Sequence, residues 1–237
     1  MPVYNCLNFI RSLVLPERCP CCGIATGSQQ FFCNSCYSTL PFNNHACPQC
    51  ALPLPPQAPP QTLCGRCIQR PPIFHRGVTA LRYEAPINHL ISGLKFNKQL
   101  HLAEPLAKLM IDRLGDIEDP PDTLIPVPLH PLRLRERGFN QSLELARLLA
   151  KYQALDLNWR AVRRIRSTTA QTGLSEKARR KNLRSAFEVN DDLAGRHVAL
   201  FDDVITTGAT ITELSRTLLR AGVKRIDIWA LARTPIL

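Results

Sequence analysis

Val198-Ala199-Leu200-Phe201-Asp202-Asp203-Val204-Ile205-Thr206-Thr207-Gly208-Ala209-Thr210 decides the reading of this 237-residue chain. The apolar run 198–201 predicts a strand buried in a parallel sheet. Two carboxylates, Asp202 and Asp203, are expected just past its carboxyl end. A turn rich in hydroxyls follows, and then Ile211, Leu214, Leu218 and Leu219 repeat with a helical period. A strand that ends in paired acids and a small-residue turn at the mouth of a helix suits a phosphorylated sugar. Backbone N–H groups at a helix start can hold a phosphate monoester. The carboxylates can accept hydrogen bonds from ribose hydroxyls.

The stretch resembles the site at which type I phosphoribosyltransferases bind phosphoribosyl pyrophosphate (PRPP). The apolar run, the acid pair, the apolar Val204-Ile205 and the turn Thr206-Thr207-Gly208-Ala209-Thr210 all fit that pattern. The resemblance implies that Asp202 and Asp203 face the ribose 2′- and 3′-hydroxyls. It also implies that Thr206, Thr207, Gly208, Ala209 and Thr210 wrap the 5′-phosphate.

Working outward, the bulk composition is globular, with 45% hydrophobic and 21% charged residues. The net charge of +11 predicts an anionic partner, with PRPP and nucleic acid both compatible. No apolar run reaches the roughly 18 residues of a membrane span, and no signal-peptide pattern opens the chain. A cytoplasmic setting is therefore expected. There the cysteines should be reduced and available to metal rather than locked in disulfides.

All ten cysteines lie within the first 67 residues. Eight form four C-x-x-C pairs: Cys19/Cys22, Cys33/Cys36, Cys47/Cys50 and Cys64/Cys67. Each short spacer lets a tight turn present two thiolates to one ion. Two such turns complete a closed tetrahedral shell, so two structural Zn²⁺ sites built from consecutive pairs are expected, with no open position for catalysis. Cys6 and Cys21 are left over, and Cys21 inside the first pair makes the ligand set of that site ambiguous. His45 and His75 are the available substitute ligands. Large apolar residues are few in this segment, so the module is expected to depend on metal, which supplies about 10–16 kcal/mol per structural zinc in small metallopeptides.

Pro71-Pro72 marks a boundary, giving a cysteine-rich module at 1–70 and a second domain at 77–237. In the second domain apolar runs alternate with helical patterns, as in α/β proteins. Strands are expected at 78–83, 123–127, 162–165, 186–189, 198–201 and 226–232. Helices are expected from Pro86 to about Phe96, over 102–114, after an Asn140 N-cap with Leu143, Ala146, Leu149 and Ala150 inward, and from a Ser175 cap to about Arg184. Gly222 should end the helix that precedes the last strand.

Two basic constellations accompany these elements. Pro126-Val127-Pro128-Leu129-His130 leads into Arg133, Arg135 and Arg137, at another strand-to-helix corner, and arginine forks match phosphate oxygens. His130, Arg133, Arg135 and Arg137 are therefore candidates for the pyrophosphate end of PRPP. Residues 160–184 hold nine Lys/Arg and one acid. Arg163, Arg164, Arg166, Lys177, Arg179, Arg180 and Lys181 form a candidate track for a nucleic-acid backbone. The small polar centre, 167–173, suits a loop that closes over PRPP. Aromatic residues are sparse here, with only Trp159 and Phe187 flanking the block.

Taken together, these motifs resemble the ComF/GntX family. The resemblance covers nearly the whole chain: the cysteine pairs, Pro126 to His130, Arg133 to Gln141, Gln171 to Asn182, and Asp202 to Thr210. It implies a type I phosphoribosyltransferase fold, a twisted and mostly parallel sheet flanked by helices, behind an N-terminal double zinc ribbon. It further implies PRPP as ligand, Mg²⁺ bound with it, and a place in the uptake or utilisation of single-stranded DNA. Three functional readings stay open at this stage. One is pentosyl transfer from PRPP to an unidentified acceptor. Another is a non-catalytic module that senses PRPP or grips single-stranded DNA. The third is a dock for a competence protein.

Overall fold

A computed structural model describes residues 17–27, 30–166 and 185–235. The expected Ser175-capped helix, the 167–173 loop, Cys6, Lys177, Arg179, Arg180 and Lys181 lie outside these ranges.

The cysteine-rich segment contains two one-turn helices, α1 (Asn34–Ser38) and α2 (Gly65–Gln69). The body follows as β1 (Arg76–Arg82), α3 (Ile87–Phe96), α4 (Ala103–Leu114), β2 (Thr123–Pro126), α5 (Pro131–Arg137), α6 (Gln141–Tyr152), β3 (Val162–Arg164), β4 (Phe187–Val189), β5 (His197–Ile205), α7 (Ala209–Arg220) and β6 (Arg225–Arg233). Four strands make one sheet in the order β1-β6-β5-β2, with every pairing parallel. The remaining two, β3 and β4, pair antiparallel as a separate ribbon. The α/β expectation holds.

Alternation along the central strands sorts the core into two layers. Ala199, Phe201, Trp229 and Leu231 pack with α3, α4 and α6. Val198, Leu200, Ile228 and Ala230 pack with α7 and the β3–β4 ribbon. Trp229 and Phe201 are fully enclosed. Gly222, at φ 87°, closes α7 as the left-handed residue a helix stop requires.

Three expectations change. β5 does not stop at Phe201: its ladder with β6 runs on to Ile205 opposite Arg233, so Asp202 and Asp203 lie inside the strand. The charges did not end it because partners from other elements meet them there. In α6 the inward row contains Leu145, with Ala146, Leu149 and Ala150, while Leu143 is only partly buried. The phase is set by Gln141 and Ser142, polar residues that turn inward at the first turn.

The cysteine-rich segment also has more apolar support than its composition suggests. Phe32 and Leu40 join the main core. Residues 41–43 run beside β1, with Phe42 bridged antiparallel to Leu81 and the Asn43 amide donating to the Ala80 carbonyl at 2.9 Å. The Asn43 side-chain amide donates to Thr79 Oγ1 at 2.7 Å and to the Ala51 carbonyl at 2.9 Å, tying the second cysteine turn to β1. Leu145→Ala should lower stability by about 2–5 kcal/mol, the usual cost of such a core truncation. Leu143→Ala should cost distinctly less, and urea denaturation of the two variants checks the order.

Candidate functional site: an acid pair, its cations and two cysteine clusters

Both expected metal clusters assemble. The sulfurs of Cys19, Cys22, Cys33 and Cys36 all lie within 4.8 Å of one another, as do those of Cys47, Cys50, Cys64 and Cys67. Tetrahedral zinc at 2.3 Å from each sulfur sets sulfurs about 3.8 Å apart. The Cys22–Cys33 and Cys50–Cys64 separations are 3.7 and 3.6 Å. All nine described cysteines are free thiols. The donor set therefore fits two closed zinc sites without His45 or His75, and Cys21 stands outside the first.

Backbone N–H groups donate to one sulfur in each cluster. The Cys36 amide donates to Cys33 Sγ and the Cys64 amide to Cys47 Sγ, each at 3.4 Å. Burial opposes the charge on Cys19, yet the amides of Cys33, Cys22 and Cys21 outweigh it and bring its pKa down to about 6. Burial, and then the charge of Cys19, push Cys21 up to about 11, which suits a spectator thiol.

The second cluster of groups lies at the carboxyl ends of β5 and β2, where open parallel sheets present ligands. Asp203 shares the parity of Ala199 and Phe201 and turns toward α3 and α6. There it is ion-paired with Lys95 from the last turn of α3, and it accepts a long 3.4 Å hydrogen bond from Gln141 Nε2. Only 3% of it is exposed. Asp202 is partly buried and accepts a 3.0 Å hydrogen bond from Ser142 Oγ and a 2.9 Å bond from the Asp203 amide. Burial, followed by the neighbouring Asp203 charge, pushes Asp202 up to about 7. Lys95 and Ser142 act in the opposite direction.

The turn around this pair is braced from several sides. Asn140 caps α6 by accepting from the Ser142 amide at 3.1 Å, and its amide donates to the Val127 carbonyl at 3.0 Å. One side chain thus fixes both α6 and the segment after β2. In the 206–210 turn, Thr206 is exposed and Thr207, Gly208, Ala209 and Thr210 are partly so. Gly208 takes φ 78° at the N-cap of α7, a conformation open to glycine without strain. Thr207 Oγ1 accepts from the Ala209 amide at 3.4 Å. From below, Arg233 donates to the carbonyls of Ile205 (2.8 Å) and Thr206.

The arginines divide. Arg133 and Arg137 share one face of α5, and both are partly buried. Arg137 donates to Gln141 Oε1, stacks 5.2 Å over Phe96 and feels the Asp203 charge. Arg135, two positions from each, is exposed on the other side of that short helix. His130 caps α5, its Nδ1 accepting from the Leu132 amide at 3.3 Å. Of the nucleic-acid candidates, Arg163 and Arg166 are exposed, and Arg163 is ion-paired with Glu188 at 2.7 Å. Arg164 instead turns inward over the Phe187 ring, at 5.7 Å, close enough to Asp202 and Arg133 for their charges to act on it. Lys95, Ser142 and Arg233 were missed in the sequence. Their only signal is position: each sits at an element's end, far in sequence from the acid or, for Arg233, the turn that it meets.

An Asp202 carboxyl carbon followed by NMR should titrate near pH 7. Asp203→Asn removes the neighbouring charge that disfavours ionisation, so the midpoint should move down. Metal analysis of the purified protein should return two zinc ions per chain, one for each cysteine cluster.

Among known proteins, the double zinc ribbon domain matches residues 10–68. DNA utilization protein YhgH of Escherichia coli O157:H7 is 35% identical over 94% of this chain and 99% of that protein. Competence protein F of Haemophilus influenzae is 36% identical over 72% of this chain and 78% of that protein. Among solved structures, the purine phosphoribosyltransferase from Pyrococcus horikoshii Ot3 is 19% identical over 56% of this chain and 76% of that one, at a TM-score of 0.36, a likeness too slight to argue from. A double zinc ribbon, a parallel α/β body, a DNA utilization protein that matches nearly from end to end and a competence protein that matches over most of its length agree on one conclusion: the chain belongs to the ComF/GntX family, that of the DNA utilization and competence F proteins.

Proposed function

We propose that this protein binds PRPP at the carboxyl end of β5 and works in the utilisation of DNA. The observation that carries the ligand is the Asp202 to Thr210 turn. It couples a partly buried carboxylate to a glycine-opened helix start on one continuous strand end. The relatives' names, a DNA utilization protein and a competence protein, support the process.

On this reading Asp202 accepts hydrogen bonds from the ribose hydroxyls. Asp203 joins it only when Lys95 lets go, because the ion pair encloses it. The 206–210 turn and the first turn of α7 hold the 5′-phosphate. Arg133 and Arg137, with Arg164 behind them, carry the positive charge that faces pyrophosphate, while Arg135 and His130 contribute less directly. The oxygen donors near Asp202 suit Mg²⁺, a hard cation usually held by one or two carboxylates plus substrate phosphates. When bound, it would neutralise pyrophosphate charge. The remaining work belongs to the protein: orienting the ribose and placing guanidinium groups where negative charge gathers if pyrophosphate leaves. Cytoplasmic action fits this reading, since it uses reduced cysteines and a phosphorylated metabolite.

One further observation favours contact with single-stranded DNA itself. Trp159 is 46% exposed, and the Arg160 guanidinium lies 4.5 Å over its ring, beside exposed Arg163 and Arg166. An exposed aromatic with a basic neighbour is a platform for a nucleobase. PRPP should bind in calorimetry with Mg²⁺, and Asp202→Asn should weaken it by at least tenfold. Unchanged affinity would remove the assignment. Single-stranded DNA affinity should fall with salt, with a log–log slope of about −0.7 per phosphate contacted, and Trp159→Ala should weaken binding at every salt.

A further inference from the structure

Asp203 lies under a cation. Its side chain is 4% exposed, while that of its partner Lys95 keeps 18%, so Lys95 is the outer member of the pair. The two carboxylate oxygens are served differently. Oδ1 accepts the long 3.4 Å bond from Gln141 Nε2. Oδ2 meets the Lys95 ammonium and no other donor among the described residues. A buried carboxylate oxygen stripped of its one partner is strongly disfavoured, and so is an ammonium parted from its acid. Whatever draws Lys95 away must therefore bring a donor to Oδ2 and offer an anion to Nζ.

The second requirement has a direction. Lys95 lies in the last turn of α3, and the next residue, Phe96, is exposed with the Arg137 guanidinium 5.2 Å over its ring. Arg137 also reaches Asp203 through Gln141, donating to Gln141 Oε1 while Gln141 Nε2 donates to the acid. Lys95 and Arg137 thus converge on Asp203 from the ends of α3 and α5. The 206–210 turn belongs to another corner, where β5 passes into α7. A phosphate held in that turn alone leaves Lys95 where it is. A second anion beside Arg137 gives Lys95 a new partner. The exchange needs no shift of α3, whose end is tied down: the Gly93 carbonyl accepts from the Asn97 and Gln99 amides at 3.1 and 3.3 Å, and the Gln99 side chain lies against Gly93. The flexible stem of the lysine suffices.

We propose that Lys95 is a latch on Asp203 that selects ribose ligands with an anion at each end. Its ammonium leaves the acid for the pyrophosphate end of the ligand, and a ribose hydroxyl takes its place at Oδ2. The site then favours PRPP over ribose 5-phosphate, which has the same 5′-phosphate and ring hydroxyls but no second anion. This selection rests on the PRPP reading above, whereas the latch in the unliganded protein does not.

Calorimetry on the full-length zinc-loaded protein, with PRPP and with ribose 5-phosphate in Mg²⁺, reads the selection. Lys95→Met should weaken PRPP by about tenfold or more, the loss of one charge-assisted contact, and leave ribose 5-phosphate equal or tighter. The ratio of the two affinities therefore collapses. Lys95→Gln keeps a donor for Oδ2 without the charge, should collapse the ratio likewise, and carries the test if the Met variant does not fold. Lys95→Arg should retain most of the ratio. A merely structural role would weaken both ligands alike, and that result, or an unchanged ratio, would overturn the selection. The latch has its own readout. Brief acetylation of the unliganded protein, followed by mass spectrometry, should modify Lys95 about tenfold faster in Asp203→Asn than in wild type, with exposed Lys98 as the internal control. Equal rates would overturn the latch whatever the ligand. If PRPP binds to none of these proteins, the PRPP reading falls with the selection, and the acetylation result still decides the latch.

Discussion

Two adjacent carboxylates inside a buried parallel strand are the constraint around which this molecule is arranged. Unpaired, they would cost several kcal/mol each in lost hydration, on top of their mutual repulsion. Each surrounding element supplies part of the remedy. α3 ends on Lys95 against Asp203, α6 begins with Gln141 and Ser142 against both acids, and α5 and β3 bring Arg137 and Arg164 near. The compensation is uneven. Asp203 has the cation, and Asp202 is left close to its point of ionisation at neutral pH. A group so poised can accept a hydrogen bond or a cation with little change elsewhere, and perturbed acids of this kind gather at functional sites.

A second buried charge lies at the same carboxyl end of the sheet's inner pair, where Arg233 is in register with Ile205. Where β6 ends, the buried charge is positive, and Arg233 donates to the Ile205 and Thr206 carbonyls. Sequence order hides another relation, because the second cysteine cluster and β6 stand near opposite ends of the chain. The parallel sheet removes that distance by laying β1 beside β6, with the cysteine turn packed onto Gly77. Asn43 and Phe42 complete the seam. A zinc module with so few apolar residues can be stable here because it shares the core of its neighbour.

What the sequence revealed and what it hid follow from the range of the forces involved. β5, its acids and the 206–210 turn are contiguous, so one strand, one turn and one helix period expose them together. The cysteine clusters are legible because a C-x-x-C pair is a local geometric device that repeats. Lys95, Ser142 and Arg233 were not legible as members of a site, since each is an ordinary polar residue until the sheet brings it to an acid or to the 206–210 turn, while Arg164, expected on a nucleic-acid track, turns toward Asp202 instead. The slip from Leu145 to Leu143 has the same origin. A reading that turns polar side chains outward cannot anticipate Gln141 and Ser142 facing a buried charge. Likewise β5 outruns Phe201 because its acids are answered from outside the strand.

The central claim is that the carboxyl end of β5 seats an activated ribose phosphate. Amide NMR of the zinc-loaded protein, titrated with PRPP and Mg²⁺, tests it most directly. The account predicts saturable shifts concentrated at 202–212, with smaller ones near Arg133 and Arg137. Shifts confined to the exposed basic residues around Trp159, with 202–212 silent, would contradict it.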